Sequence, residues 1–241
     1  MPAYRSSTRM CDRGSMVNGY SAQQIRDAEA PLLAAGEPLM QRAAAGLARE
    51  IGRVAGSVPH ARILVLVGSG NNGGDALFAS AVLAEGGCDV LIVPVGSRIH
   101  EDGLAAAEAA GARSADARSA HDVAELAATS VVIVDAILGT GSAADPALRG
   151  LARDIVAELV PIVTAERGTR VVAVDIPSGI NPDDGSVPDA TVLPADVTVT
   201  FGAHKAGLLL PPAASLAGDI RLIDIGLGAE LARAEPLVRT S

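Results

Sequence analysis

Continuous apolar runs alternate with alanine-rich segments along most of the chain. The apolar runs predict six strands, at residues 63–67, 90–95, 131–134, 171–174, 197–201 and 220–225. Their lack of polar alternation is typical of strands that are covered on both faces of a parallel sheet. The intervening segments predict helices over residues 75–86, 101–112, 121–128 and 146–166. Strands and helices in this order predict an α/β fold with a doubly wound, mostly parallel sheet.

Two further helices are predicted near the start of the chain. Ser21 followed by Gln24 resembles a capping box, which indicates that a helix begins there. Apolar residues at helical spacing between positions 40 and 51 place one apolar stripe on the next helix. That stripe could pack in the core or form a dimer interface, and we predict the core. The Gly- and Pro-rich stretch 202–218 shows no clear helical pattern.

A single domain is predicted over residues 20–230. Residues 1–19 contain arginines but no apolar segment, so a secretory signal does not fit, and we expect a disordered leader. Residues 231–241 are expected to form a C-terminal tail.

Composition removes several classes of function. The 241 residues include 28 acidic and 19 basic side chains, a net charge of −9, which argues against a nucleic-acid partner. No apolar stretch reaches the length of about 20 residues that spans a bilayer, so no membrane partner is expected. The two cysteines are far apart and the four histidines are scattered. We therefore expect neither a disulfide framework nor a zinc site, and a cytoplasmic location.

Three predicted strands end in chemically unusual loops. The first loop, residues 68–75, is rich in glycine and asparagine; the second, residues 135–142, begins with Asp135; the third, residues 175–179, begins with Asp175. In an open parallel sheet, ligands bind beyond the carboxyl ends of the strands. Each loop alone could be an ordinary turn, and each aspartate a simple cap. Together they predict one ligand site.

The residue types in these loops suit an anion and a hard cation. A helix that begins after the first glycine-rich loop would offer free N–H groups to a phosphate. Asn72, Asp135 and Ser178 would supply amide, carboxylate and hydroxyl oxygens, which are ligands for an alkali or alkaline-earth ion.

A dehydrogenase is the first alternative, because residues 68–73 fit the Gly-x-Gly-x-x-Gly pattern of dinucleotide binding. Such a site needs an acidic residue at the carboxyl end of the second strand, whereas Asp89 stands at that strand's beginning. Asp75, expected in the first turn of the helix, would also repel a pyrophosphate. These features argue against an NAD-dependent dehydrogenase.

Four motifs in order resemble the NAD(P)H-hydrate epimerase family, over residues 20–227. They are Gly-Asn-Asn-Gly-Gly-Asp at 70–75, Val-Asp-Ala-Ile-Leu-Gly-Thr-Gly at 134–141, Ala-Val-Asp-Ile-Pro-Ser-Gly at 173–179, and Asp-Val-Thr-Val-Thr-Phe-Gly at 196–202 followed by Lys205. The resemblance implies a Rossmann-like, three-layer domain, usually a homodimer. It also implies an isomerase that interconverts the R and S forms of hydrated NADH and NADPH (NADHX and NADPHX) with a bound potassium ion (K⁺).

The resemblance also assigns residues. Those implied to contact the substrate are Asn71, Asn72, Gly73, Gly74, Asp75, Gly139, Thr140, Gly141, Ser142, Ala143, Ala144, Asp145 and Asp175. Positions implied to ligate K⁺ are Asn72, Asp135 and Ser178. Our hypothesis for the chemistry is that Asp175 acts as general acid and then as general base.

Two departures from the family pattern keep a further alternative open. Ala76 stands where a glycine is common, and Gln41 and Arg42 differ from the usual N-terminal helix. They motivate a non-catalytic module that binds a nucleotide or a partner without turnover.

Overall fold

The structure, a computed structural model, describes residues 16–117, 119–142, 145–165 and 168–240. The strands of this part are β1 Val17–Tyr20, β2 Arg62–Val67, β3 Asp89–Pro94, β4 Arg113–Ser114, β5 Val132–Ala136, β6 Arg170–Val174, β7 Val197–Phe201, β8 His204–Lys205, β9 Asp219–Ile223 and β10 Val238–Thr240. Its α-helices are α1 Ala22–Ala34, α2 Leu39–Ala55, α3 Asn71–Glu85, α4 Glu101–Ala109, α5 Ala120–Ala127, α6 Gly150–Thr164 and α7 Gly228–Leu231.

Seven strands form one parallel sheet in the order β4-β3-β2-β5-β6-β7-β9. β3, the next strand of the sheet along the chain, lies on one side of β2, and β5 lies on the other side. Strand order therefore reverses next to β2, and β2, β5 and β6 are consecutive neighbours. Every carboxyl end in a parallel sheet lies at the same edge, so the loops after these three strands lie side by side.

Helices cover both faces of the sheet. Leu47 on α2 and Leu77 on α3 pack with Val65 and Val134 on one face. Ile155 on α6 and other residues of α5 and α6 pack with the alternate strand residues, including Leu64, on the opposite face. Successive side chains of a strand point to opposite faces, so strands buried on both faces must be apolar throughout. The predicted three-layer α/β fold is confirmed.

The predicted elements agree with the structure in most places. Ser21 Oγ accepts a hydrogen bond from the Gln24 N–H at 3.1 Å and Gln24 Oε1 accepts one from the Ser21 N–H at 2.9 Å, so the capping box is confirmed. The apolar stripe of α2 lies in the core as predicted, because Leu47 and Ile51 are fully buried. The main difference concerns α3, which begins at Asn71 rather than at residue 75.

A small second sheet was missed by the sequence pattern. It has the order β10-β1-β8 and joins the two ends of the described chain, with Val17 paired to Thr240. β1 lies partly within the expected leader, and β10 lies within the expected tail, so the described parts of both segments contain a strand. These strands are too short to show a period, and their partners are far away in sequence. Residues 1–15 of the leader are outside the described residues, and the division into leader, domain and tail stays a prediction.

Two other observations concern earlier expectations. The stretch 202–218 contains two short 3₁₀ turns, Ala206–Leu209 and Ala213–Ser215. In the part of the chain that the structure describes, no helix combines the length and apolar character needed to cross a membrane.

Candidate active site

A cleft of about 820 Å³ lies at the carboxyl ends of the central strands. Residues after β2, after β5 and after β6 line it, including Asn72, Gly139 and Asp175. The structure therefore brings together the three loops that the sequence singled out. The cleft lies where the strand order reverses, which is the usual ligand position in open parallel sheets.

The first loop presents the free N-terminus of α3 to the cleft. Gly70 is the N-cap residue, and no side chain caps the helix. The first backbone hydrogen bond from the helix to its N-cap residue runs from the Gly74 N–H to the Gly70 carbonyl at 3.3 Å. No described residue accepts a hydrogen bond from the preceding N–H groups, those of Asn71, Asn72 and Gly73. Such groups favour an anion.

Asp75 is the fifth residue of α3 and lines the cleft. The prediction that it lies in the first turn of the helix is wrong, because the helix begins four residues earlier than expected. Asp75 therefore does not lie at the helix N-terminus, where it would repel a pyrophosphate.

Gly73 and Gly74 have packing roles behind the cleft wall. A Cβ atom on Gly73 would lie 2.3 Å from the Gly68 carbonyl oxygen, and one on Gly74 would lie 3.1 Å from the His100 ring. Both glycines are buried, and neither lines the cleft, unlike Asn71 and Asn72. Their side-chain-free positions let α3 approach its neighbours closely.

The Asn72 side chain connects the three loops. Its Nδ2 group donates to the Leu138 carbonyl at 3.2 Å and to the Val174 carbonyl at 2.7 Å. Both amide hydrogens are thus used, and the amide oxygen Oδ1 remains as an acceptor. A Cβ atom on Gly139 would lie 2.4 Å from this oxygen, so only glycine allows the second loop to pass there.

Asp135 and Ser178 form a buried pair beneath the cleft. Asp135 is 0% exposed. Its carboxylate accepts hydrogen bonds from Ser178 Oγ at 2.6 Å, from the Ser178 N–H at 2.8 Å and from the Ile137 N–H at 3.3 Å. Burial raises the pKa of Asp135, and the hydrogen bonds from Ser178 and Ile137 oppose that rise. Neither residue lines the cleft, so the structure places them behind the Asn72 amide rather than in the wall.

These three residues fit a singly charged cation chemically. A carboxylate has about four acceptor positions, of which Asp135 uses three. Among the described residues no basic side chain pairs with it. Asn72 Oδ1 and the remaining lone pair of Ser178 Oγ are neutral oxygen donors of the kind that K⁺ takes. No described group of three or more His, Cys, Asp or Glu residues is arranged to hold a metal ion.

Asp175 follows β6 in a strained backbone conformation. Its φ angle is 69°, a region that residues other than glycine adopt rarely and at a cost in free energy. Its Oδ1 atom accepts hydrogen bonds from the Phe201 N–H at 3.2 Å, from Thr200 Oγ1 at 3.3 Å and from Lys205 Nζ. No described residue bonds to Oδ2. The carboxylate lines the cleft while only 5% exposed, so Oδ2 is the atom available to a ligand.

Lys205 pairs directly with the Asp175 carboxylate. It is 1% exposed, and its Nζ donates to Asp175 Oδ1, to Thr200 Oγ1 at 3.0 Å and to the Phe201 carbonyl at 3.0 Å. All three ammonium donors are therefore satisfied within the protein. Lys205 was predicted only as part of a motif, and this role was not predicted. The signal was present, since Lys205 is the one lysine in the chain and every other basic residue is arginine.

Two more carboxyl groups share this region of the cleft. Burial raises the pKa of Asp75 well above its usual range, and the charges of Asp175 and Glu29 raise it further, whereas Lys205 lowers it. Burial also raises the pKa of Glu29 on α1, and the Lys205 charge opposes this. The inner end of the cleft is thus acidic, with one lysine already engaged by Asp175.

The second loop and the start of α6 form the outer part of the cleft. Thr140, Gly141 and Asp145 line it, and Asp145 pairs with Arg149. Thr140–Ser142 form one 3₁₀ turn. Ala143 and Ala144, which the resemblance also assigns to the substrate, lie outside the described residues.

Comparisons with known proteins match nearly the whole chain. The family model "YjeF-related protein N-terminus" matches residues 36–207. A protein of Clavibacter michiganensis named NAD(P)H-hydrate epimerase is 54% identical over 96% of this chain and 100% of its own length. The chain belongs to the NAD(P)H-hydrate epimerase family. A second relative with that name, from Microbacterium testaceum, is 49% identical over 92% of this chain and 84% of its own length.

A solved structure supports the fold of this epimerase-family chain. The yeast protein ynu0 superposes with a TM-score of 0.67 at 22% identity, covering 79% of this chain and 83% of that one. At this identity the likeness concerns the fold alone.

The epimerase-family cleft also contains residues that sequence reasoning did not assign to it. Ile25, Arg26 and Glu29 of α1, together with Leu39 and Met40 of α2, also line it. They come from helices whose apolar stripe predicted only core packing. Their exposure to the cleft depends on how α1 and α2 are placed across the sheet edge, which no local pattern encodes.

Asp89, the acidic residue weighed for a dehydrogenase, lies far from this site. It is at the first position of β3, where its carboxylate accepts from Arg62 at 2.8 Å and from Arg113 at 2.5 Å. These arginines lower its pKa. The carboxyl end of β3 is followed by Val95 and Gly96, which offer no acidic group to a ribose. This geometry does not support an NAD-dependent dehydrogenase.

Proposed function

We propose that this chain is an isomerase that interconverts the R and S epimers of NADHX and NADPHX. Relatives named NAD(P)H-hydrate epimerase support it, since they match this chain over almost its full length. The observation that carries the proposal is Asp175, a buried carboxylate at the floor of the cleft, whose Oδ1 is held by Lys205 and whose Oδ2 faces the ligand space. The family's dimeric state and a cytoplasmic location belong to the same proposal.

The reaction needs a group that moves protons. The substrate carries a hydroxyl on the ring carbon next to the ring nitrogen, so inversion requires that a C–O or C–N bond breaks and re-forms on the other face. Either route needs protonation of a leaving atom and removal of a proton afterwards. A carboxyl group within hydrogen-bond reach of the substituent can act as the acid or as the base, and general acid–base catalysis contributes about 10²- to 10⁴-fold. Asp175 Oδ2 is placed for this task.

Charge distribution orients the substrate in this proposal. The inner end holds the carboxyl groups of Asp75, Asp175 and Glu29, and Lys205 there is already engaged by Asp175, so this end does not attract phosphates. The free N–H groups at the start of α3 and the cationic Arg26 of α1, which also lines the cleft, would attract them. The pyrophosphate therefore lies towards the N-terminus of α3 and the Gly139–Gly141 turn. The hydrated ring lies at Asp175.

Asn72, Asp135 and Ser178 would hold a potassium ion beneath the cleft. When bound, K⁺ would supply a fixed positive charge that neutralises Asp135 and sets the three loops, rather than strong Lewis acidity. The chain's own contribution is to hold the Asn72 amide between the Leu138 and Val174 carbonyls, which fixes the wall against which the substrate packs.

The decisive experiment follows each hydrate epimer by chromatography with and without protein. We expect the purified R and S epimers each to convert to the same mixture much faster with protein than without it. Binding of either epimer with no acceleration would favour the non-catalytic module. Reduction of NAD by an alcohol would favour a dehydrogenase instead.

We expect potassium to stabilise the protein through Ser178 and its neighbours. When K⁺ replaces tetramethylammonium at constant ionic strength, the melting temperature should rise. The free energy of unfolding should increase by about 1.4 kcal/mol for each tenfold excess of the K⁺ concentration over its dissociation constant. Ser178→Ala should weaken this response, since it removes one ligand and a hydrogen bond to Asp135. The control is Ser114→Ala, an exposed hydroxyl on β4, which should keep the response. Equal melting temperatures of the wild type in both salts would remove K⁺ from the proposal.

A further inference from the structure

Asp75 is a buried carboxyl group that no part of the described chain satisfies. It is 7% exposed and lines the cleft, yet no described residue donates a hydrogen bond or forms an ion pair with it. Asp135 and Asp175, its counterparts after β5 and β6, each accept three hydrogen bonds. A buried polar group without a partner costs free energy. Its persistence beside a cleft indicates a group that bonds to a ligand.

The charges around Asp75 distinguish it from Asp175. The groups that act on it electrostatically are Asp175, Glu29 and Lys205. Lys205 donates to Asp175, Thr200 and Phe201, so it contacts Asp175 directly and acts on Asp75 only from a distance. Burial and the two acidic neighbours instead favour the protonated form of Asp75. Two carboxyls in one cleft with different hydrogen-bonding surroundings are suited to opposite proton-transfer roles.

We propose that Asp75 is a second catalytic carboxyl, which acts on one face of the hydrated nicotinamide ring while Asp175 acts on the other. This inference rests on the proposed epimerase function and adds a residue to it. It also answers a geometric problem. The hydroxyl lies on opposite faces of the ring in the two epimers, and one fixed carboxyl cannot contact both faces of a bound ring.

The cleft that Asp75 and Asp175 both line has room for the ring, since its volume is about 820 Å³. Asp75 is carried by the helix that follows β2, and Asp175 follows β6, with β5 between these strands.

The reaction balances with water alone. Protonated Asp75 gives its proton to the hydroxyl oxygen on its face, the C–O bond breaks, and water leaves while the ring-nitrogen lone pair forms a C=N⁺ bond. A water on the opposite face then attacks the same carbon, the C=N⁺ pair returns to nitrogen, and the Asp175 carboxylate takes the excess proton. The reverse conversion uses the same steps with the roles exchanged. Proton exchange with solvent then returns Asp75 and Asp175 to their starting protonation states.

The test uses Asp75→Asn and Asp175→Asn in water labelled with ¹⁸O. The wild type should incorporate ¹⁸O into both epimers as it interconverts them. Asp75→Asn should lose epimerisation by at least about 10²-fold. It should still exchange the oxygen of one epimer, the one whose hydroxyl faces Asp175, because water can leave and return on that face. Asp175→Asn should lose epimerisation and exchange the oxygen of the other epimer.

The outcomes separate this inference from the function on which it rests. If the wild type does not epimerise, the proposed function fails. Should the wild type epimerise while Asp75→Asn retains near wild-type rates, only the second carboxyl is overturned. Epimerisation by the wild type without ¹⁸O incorporation overturns the C–O route and this role with it. Circular dichroism verifies that each variant is folded, and Asp102→Asn, an exposed carboxyl on α4, should behave as the wild type.

Discussion

Replacing Asp175 by asparagine should lower the epimerisation rate by about 10²- to 10⁴-fold, because the amide cannot give or take a proton at the ring substituent. Asparagine has nearly the same shape, and its Oδ1 can still accept from Thr200 and from the Phe201 N–H. Substrate binding should therefore change much less than the rate. The measurement compares steady-state rates and direct binding of a hydrate epimer for the variant and the wild type.

The matched control for this change is Asp154→Asn on α6. Asp154 is exposed and does not line the cleft, so its variant should keep the wild-type rate. Near wild-type turnover by Asp175→Asn would remove Asp175 from the chemistry and leave it as a structural residue. A loss of binding as large as the loss of rate would indicate that the loop, rather than the proton transfer, was disrupted.

Replacing Lys205 by methionine should lower the free energy of unfolding by about 3–5 kcal/mol, the usual effect of leaving one member of a buried ion pair without its partner. Methionine fills much of the same volume, so loss of packing contributes little. The effect should arise from the Asp175 carboxylate, which is 5% exposed and would keep only its bonds to Thr200 and Phe201. Urea unfolding measures it.

A double-mutant cycle separates the ion pair from other effects. If the buried charge of Asp175 causes the loss, Lys205→Met combined with Asp175→Asn should be more stable than Lys205→Met alone. Arg170→Met provides the comparison at the surface, because the Arg170–Asp196 pair is exposed and such pairs contribute about 0–1 kcal/mol. If Arg170→Met and Lys205→Met lower the free energy of unfolding equally, the buried Lys205–Asp175 pair contributes no more to stability than a surface pair.

The chain's single lysine gives this experiment a further readout. Selective isotope labelling of lysine yields one side-chain signal in NMR spectra, and that signal reports on Lys205 alone. In the folded wild type it should show a fixed environment that Asp175→Asn perturbs. An amine-reactive reagent should label Lys205 only after unfolding, since the side chain is 1% exposed.

Local patterns predicted most of the fold for a clear reason. A strand that is buried on both faces must be apolar at every position, so its signature is contained in its own residues. The same holds for the capping box at Ser21, whose partner Gln24 is three residues away. The start of α3 was misplaced because glycine and asparagine are poor helix formers, and at Asn71–Gly74 close packing overrides that preference.

The same distinction applies to the candidate site: local sequence predicted some of its residues, and tertiary packing decided the others. Asn72, Asp135, Asp175 and Ser178 were visible because they follow strands whose ends must meet at one edge of a parallel sheet. The cleft-lining role of Glu29 and Arg26 was not visible, since it depends on the position of α1 relative to strands far away in sequence. The short strands β1 and β10 were missed for the same reason.

The sequence alone determined the parallel α/β fold and the three loops that carry the site's chemistry, because strand burial and strand-end geometry are properties of local segments. Only the tertiary structure decided that Lys205 engages Asp175 and that Asp75 is buried without a partner. Charge pairing and desolvation depend on distances between residues remote in sequence, and those distances exist only after the helices have packed on the sheet.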